Sequence, residues 1–303
     1  MKLVLTGAGG FLGTELLNQL ASEDDVQVLA VSSRVGFPGA CGFPEQRITV
    51  VSPSDLLANP DLMAGFDVLL NCAFPRNVDG EALARGLDFI SSLFRAAATR
   101  VKAVVNVSSQ SVYSQHRTMP ATEDTPVCLE SAYAVAKYAT ELMLEEACGN
   151  IPHTNIRLAS LIGPGFDQRV VNKMVAKVLA GERITVLESG SRYGYLDARD
   201  ASAGLIKLIR SNPVHWESLY NLGSDMGATL SEIAICVVDV TSAFGIESQL
   251  PDIVMSECTA INTTLNAGCF VSAFNWHPEF DMIASTKSIT EFLVYRARSE
   301  DIG

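Results

Sequence analysis

A short apolar strand, Lys2-Leu3-Val4-Leu5, runs directly into Thr6-Gly7-Ala8-Gly9-Gly10-Phe11-Leu12-Gly13 and then into the helical pattern Thr14-Glu15-Leu16-Leu17-Asn18-Gln19-Leu20. Strand, glycine turn and helix in this order are the context in which a glycine motif predicts a dinucleotide site. Gly7 permits the tight turn, Gly10 lets the backbone approach a pyrophosphate, and Gly13 lets helix and strand pack closely. The start of the helix then offers free N–H groups and the positive end of its dipole to phosphate oxygens.

The pattern that follows agrees. Short apolar runs, Val26–Val31, Ile48–Val51, Asp67–Asn71, Ala103–Val107 and Asn155–Leu158, alternate with helical periodicity, clearest over Glu81–Arg100 and in the stretch after Tyr133. Alternating strands and helices predict an α/β fold, a Rossmann-type doubly wound parallel sheet. Residues 1–163 are expected to form the dinucleotide-binding domain, taking back a segment near 197–222. Residues 164–303 are expected to be mainly a smaller α/β substrate-binding domain. Ligands of such sheets bind beyond the carboxyl ends of the strands, so the residues just after each strand are where chemistry is to be sought.

Two such places stand out. Ser108 and Ser109 follow Ala103–Val107, and a hydroxyl there can bond a substrate carbonyl, although Ser at a strand end is also an ordinary turn or cap residue. Tyr133 and Lys137 lie four residues apart on a predicted helix, hence on one face. A phenol with its usual pKa near 10 is a poor proton donor or acceptor at neutral pH, and a neighbouring ammonium lowers it. Alone, that spacing arises on many amphipathic helices. Beside a dinucleotide turn it reads as a proton-transfer device.

Composition bounds the rest. The 303 residues are 48% hydrophobic and 18% charged, which describes a globular chain with a large core. A net charge of −12 argues against nucleic acid or an anionic membrane as partner. No apolar run approaches the roughly 20 residues needed to span a bilayer, and Thr6–Gly10 interrupts any signal-peptide core, so a cytoplasmic enzyme is expected. Seven cysteines without a C-x-x-C fit reduced thiols, and the four scattered histidines give no metal-ligand spacing.

Together, Thr6-Gly7-x-x-Gly10-x-x-Gly13, Asn71-Cys72-Ala73, Ser108-Ser109-x-x-Val112-Tyr113 and Tyr133-x-x-x-Lys137 resemble the extended short-chain dehydrogenase/reductase family, which includes nucleotide-sugar epimerases, dehydratases and reductases. Further matches are Pro120-x-x-Glu123-Asp124-x-Pro126, Arg157-x-x-x-x-Ile162-Gly163-Pro164-Gly165, Tyr220-Asn221-Leu222-Gly223 and Trp276-His277-Pro278, so the likeness runs over nearly the whole chain. The resemblance implies that Tyr133 is the general acid/base, that Lys137 lowers its pKa and binds the nicotinamide ribose, and that Ser109 holds the substrate oxygen. It also implies cofactor contacts from Gly7, Gly10, Phe11, Leu12, Gly13, Asn71, Cys72 and Ala73, and a homodimer built on helices at 81–100 and 132–147.

Members preferring NAD usually carry an acidic residue at the end of the second strand. This chain has Val31-Ser32-Ser33-Arg34, and Ser32, Ser33 and Arg34 suit the 2′-phosphate of NADP instead. NADP is therefore the expected cofactor, with NAD the alternative. After Ser109, related 4,6-dehydratases place Asp-Glu, and GDP-fucose synthase-like enzymes place Cys. Gln110 and Ser111 are suited to neither elimination nor carbanion chemistry. The expected reaction is reduction of a keto group on a nucleotide-linked 4-keto sugar. A nucleotide-sugar C4-epimerase with tightly held NAD, a reductase of a non-nucleotide ketone or aldehyde, and a non-catalytic NADP(H) sensor are the alternatives. Expected substrate contacts are Arg76, Gln110, Ser111 and, on a helix predicted over Phe166–Ala180 and beyond it, Phe166, Lys173 and Arg192. Leu196-Asp197-Ala198-Arg199-Asp200-Ala201 resembles a segment of family reductases, or is a strand end whose Asp200 caps the next helix.

Overall fold

The computed structural model describes residues 1–34, 42–76, 78–224 and 227–300. In chain order they form β1 (Lys2–Thr6), α1 (Phe11–Leu20), β2 (Gln27–Val31), β3 (Ile48–Val51), α2 (Pro53–Ala58), β4 (Phe66–Asn71), α3 (Gly80–Ala97), β5 (Val101–Ser109) and α4 (Ala132–Cys148). Then follow β6 (His153–Leu158), β7 (Ser160–Ile162), α5 (Val170–Leu179), β8 (Thr185–Glu188), β9 (Tyr195–Asp197), α6 (Ala198–Arg210), β10 (Leu219–Leu222), α7 (Leu230–Ala243), β11 (Asp252–Met255), α8 (Gly268–Phe274) and α9 (Met282–Glu300). Among the described residues no helix is long and apolar enough to cross a membrane.

The central sheet has the order β10-β6-β5-β4-β1-β2-β3 and is parallel throughout. Its direction of winding reverses between β1 and β4, which opens a crevice beyond the carboxyl ends of those two strands. The strands read as near-continuous apolar runs because both faces are covered. Leu16 and Leu20 of α1 pack with Leu205 and Leu208 of α6 on one face, and Ile90, Leu93 and Phe94 of α3 pack with Leu144 of α4 on the other. A third core joins Val171, Val175 and Val178 of α5 to Val186 of β8, Ile233 and Val237 of α7 and Ile289 of α9.

A row of buried polar side chains crosses this apolar sheet at one register position. Thr6, Asn71, Asn106 and Asn155 are paired neighbours on β1, β4, β5 and β6, each at most 3% exposed. Thr6 donates to Asn71 at 2.6 Å, Asn71 to Asn106 at 3.0 Å, and Asn106 to Asn155 at 2.9 Å and to Thr140 of α4 at 3.1 Å. Buried amides are costly unless every group is bonded. A one-residue slip of any strand would break the row, so it pins the sheet's register and ties it to α4.

Two expectations need correction. The helix predicted from Phe166 starts at Val170. Gly163 and Gly165 have φ of +151° and +80°, and the Arg169 N–H closes a turn on the Phe166 carbonyl at 3.0 Å, leaving Phe166 in the loop before the helix. The cap of α6 is Asp197, not Asp200. Asp197 accepts from the Arg199 N–H at 2.9 Å, whereas Asp200 lies in the first turn and accepts from the backbone of Glu279 and Phe280 at 2.8 and 3.0 Å. Its carboxylate fastens the chain before α9, a contact 79 residues away that no local pattern shows.

Candidate active site

The glycine turn packs as tightly as its sequence implies. Gly7 has φ +65°, and a Cβ on it would lie 2.8 Å from the Ala73 nitrogen. A Cβ on Gly13 would lie 2.2 Å from the Gly7 carbonyl oxygen, an overlap between backbone atoms that no rotamer relieves. Gly10 heads α1 with no side-chain cap, so the first N–H groups of the helix, at Phe11, Leu12 and Gly13, face an uncapped end. A cavity of about 390 Å³ opens beside it, lined by Gly7, Gly9, Gly10, Ser32, Ser33, Arg34, Ala73 and Phe74 among others. An uncapped helix start, a turn without side chains and an apolar slot fit a dinucleotide. Among the described residues no carboxylate lines the cavity.

Tyr133 and Lys137 sit in the first two turns of α4, which Ser131 caps by accepting from the Ala134 N–H at 3.1 Å. Lys137 is 6% exposed; its ammonium donates to the Val107 carbonyl at 2.8 Å and lies 4.2 Å from the centre of the Phe74 ring. Phe74 in turn meets Tyr133 edge to face at 5.3 Å. One phenyl ring thus holds phenol and ammonium in place, and a phenyl face beside a cation is favourable. Burial pulls the Lys137 pKa from about 10.5 down to about 7, with nearby Cys72 and Glu141 favouring the cation and Arg76 opposing it. Burial also pushes the Cys72 thiol up to about 12, so it offers no thiolate for proton exchange at neutral pH.

The depressed Lys137 value has a measurable consequence. Between pH 7 and about 10.4 the unfolded chain keeps this proton and the folded chain does not, so this group makes folding more favourable as pH rises through that window. We expect Lys137→Met to flatten the rise of stability with pH in the cofactor-free protein across that window, by the contribution of one proton. Urea unfolding at pH 7 and pH 9 reads it; identical slopes for both proteins would place the lysine's titration elsewhere.

Ser109 ends β5, its hydroxyl accepting from the Ser111 N–H at 3.2 Å and sharing a hydrogen bond with the Ser111 hydroxyl at 2.7 Å. Ser108 faces the other way and donates to buried Glu141. Glu141 also takes a two-pronged ion pair from Arg157 at 2.8 Å, both side chains about 5% exposed. Burial opposes the Arg157 charge, but its hydrogen bonds to Glu141 outweigh that and hold its pKa above the ordinary guanidinium range. Gln110, expected at the substrate, is 8% exposed, and its carbonyl accepts from Arg117 at 2.9 Å. It braces the Ser109 turn from behind.

On the outer side, Arg76 stacks over Tyr133 and over Phe166, at 5.8 and 5.7 Å from the ring centres. Phe166 stacks on Phe11 at 4.3 Å, joining the loop before α5 to the start of α1. The structure therefore brings Arg76, Phe166, Phe11, Tyr133, Lys137 and Phe74 together. It does not bring in Lys173, exposed on α5, or Arg192, which pairs with Glu232 at 3.6 Å. Asn71 spends its amide inside the sheet, so its side chain is closed to a cofactor. Phe74 and Arg169 are absent from the sequence expectations. Phe74 comes three residues after the end of β4, a signal that was available. Arg169 becomes visible only once the loop from Gly163 is seen folded back.

Residues 3–223 match the NAD dependent epimerase/dehydratase family, and the chain belongs to that family. It is an NAD(P)-dependent enzyme of the extended short-chain dehydrogenase/reductase type. Among curated proteins it is 23% identical over 268 residues to the low-salt glycan biosynthesis protein Agl12 of Haloferax volcanii, covering 82% of this chain and 85% of that one. It is 24% identical over 263 residues to UDP-glucose 4-epimerase of Mycolicibacterium smegmatis, covering 80% and 83%. The Bordetella bronchiseptica enzyme WbmH, solved in complex with NAD+, superposes with a TM-score of 0.80 at 16% identity over 97% and 98% of the two chains.

Proposed function

We propose that the chain is a nucleotide-sugar C4-epimerase with a firmly held dinucleotide. The observation that carries the reading is that Tyr133 and Lys137 both pack on Phe74, a residue lining the dinucleotide cavity, while Ser109 at the end of β5 is followed by Gln110 and Ser111, neither a carboxylate nor a thiol. Such a site can move one proton and orient one oxygen, which suffices to oxidise a carbinol and reduce the resulting ketone, and is too little for elimination. The relatives that carry the name UDP-glucose 4-epimerase support the same reaction. Sequence alone favoured net reduction; the family comparisons favour the epimerase.

When bound, the dinucleotide supplies a carbon that accepts hydride and returns it. Tyr133 takes the proton of the sugar's C4 hydroxyl and later gives it back to the ketone oxygen. Ser109 donates to that oxygen in both half-reactions, and Lys137 stabilises the phenolate between them. Inversion requires the ketone to present its other face, so the pocket must hold the nucleotide firmly and the sugar loosely. The division near residue 163 belongs to the same proposal. The seven-stranded sheet would carry the cofactor, and the α5–α7–α9 unit with β8 and β11 would shape the sugar pocket. Pairing of two copies through α3 and α4, where Val135 and Leu142 are exposed, completes it.

A second reading rests on a specific observation. The end of β2 presents Ser32 and Arg34 to the cavity and no carboxylate, which suits NADP and a reductase drawing on the reduced pool. Protein purified without added nucleotide decides between them. Retained NAD and interconversion of C4-epimeric nucleotide sugars are expected. Empty protein that consumes one NADPH per substrate would establish the reductase and remove the epimerase.

A further inference from the structure

Arg76 and Arg169 are two cations at the catalytic mouth that, among the described residues, meet no carboxylate. Both guanidinium groups lie on the ring of one residue, Phe166, at 5.7 and 4.7 Å from its centre, and Arg76 is also over Tyr133. Arg169 is half-buried, and its Nε is fully enclosed without a hydrogen-bond partner. The acid nearest in sequence, Asp167, is taken by Arg296 at 2.7 Å. Burial first, and the charge of Arg76 second, hold the Arg169 guanidinium below its ordinary range, so the two cations repel one another across the ring. The two arginines stand together without an acid among the described residues although the chain carries 34 acidic against 22 basic residues. Arg76 is exposed, but an enclosed, unbonded nitrogen such as the Arg169 Nε is costly unless a ligand completes it.

We infer that this pair is a carboxylate clamp, and that the sugar turned over at Tyr133 is a hexuronate, with an anionic C6 beside the reacting C4. The inference rests on the nucleotide-sugar reading above and narrows its substrate. A hexose placed with C4 at the Tyr133 hydroxyl carries its C6 group on the adjacent ring carbon, C5, and the Arg76 guanidinium lies 5.8 Å from the centre of the Tyr133 ring and 5.7 Å from that of Phe166. A neutral hydroxymethyl group there leaves both guanidinium groups without a counter-ion. A carboxylate can take the forked donors of both, the geometry for which arginine rather than lysine is suited. The substrate's diphosphate is the other anion able to reach this region, and the experiment separates the two.

Purified full-length protein is tested for binding by calorimetry, and for C4 epimerisation, with free UDP and dTDP and with the glucose and glucuronate forms of each. The clamp predicts that glucuronate is preferred in kcat/KM by about a hundredfold on at least one base. It also predicts that Arg76→Gln and Arg169→Gln each bring that preference towards unity while leaving the affinity for the free diphosphate within about twofold. Arg169→Lys, which keeps the charge and the fold's electrostatics, should recover part of the preference. Equal turnover of glucose and glucuronate forms overturns the clamp and leaves the epimerase reading standing. So does an equal loss for free diphosphate in the arginine variants, which would assign the pair to the phosphates. Absence of binding and turnover for every nucleotide sugar removes the epimerase reading and the clamp with it.

Discussion

Tyr133→Phe is expected to lower turnover by about a thousandfold or more while leaving the fold and dinucleotide affinity close to those of the unaltered protein. The expectation follows from how the ring is held. Its edge-to-face contact with Phe74 and the stacking of Arg76 depend on the ring, not on the hydroxyl, so phenylalanine fits the same place. What is lost is the proton, and a positioned acid or base contributes roughly 10²- to 10⁴-fold. Cys72 is held protonated by burial, Gln110 is tied to Arg117, and Ser109 and Ser111 are bonded to each other, so no neighbour replaces the phenol. Turnover numbers and cofactor titration on the same preparations test this. A variant within tenfold of the parent would show that another group moves the proton.

Arg157→Met is expected to destabilise the protein by about 3–5 kcal/mol, because it strands the Glu141 carboxylate away from water. Glu141 would keep the Ser108 hydroxyl but lose all its guanidinium bonds. The double variant Arg157→Met/Glu141→Leu should recover much of that loss, since removing a buried pair together is far cheaper than removing one member. The pair lies directly behind the catalytic residues: Glu141 is one turn beyond Lys137 on α4, and Arg157 stacks on Tyr113 at 4.8 Å. Denaturant midpoints of the two single variants and the double variant form the cycle. Additive losses would mean that the pair is held apart in solution. A stable Arg157→Met protein would mean that water reaches Glu141.

Much of the sheet was legible because its signals are local. Each predicted strand is present, lengthened by a residue or two at one end or both, or starting one residue later, with β3 matching as read. An apolar run marks where a strand is buried, while hydrogen bonding to its neighbours decides where it stops. The Phe166 helix failed for a related reason. Its apolar spacing begins at Val170, and the two glycines before it adopt a backbone that only the folded loop reveals. Lys173 and Arg192 were chosen for charge, and charge without a position says little, since most arginines and lysines are solvated. Gln110 is the more instructive case. Its place after Ser109 was read as substrate-facing, but the turn directs its side chain inward to Arg117.

The motif Gly7 to Gly13 and the Tyr133/Lys137 spacing are properties of the chain alone. A turn needing no side chains and two residues one helical turn apart have the same geometry wherever they fold, so sequence by itself determined a dinucleotide fold with an acid/base pair. Phe74 between phenol and ammonium, the Asn ladder that locks four strands in register, and Arg76 and Arg169 facing one ring were decided by the tertiary structure. Each joins residues 30 to 90 or more positions apart. Their meeting depends on strand order and loop closure, which no periodicity records.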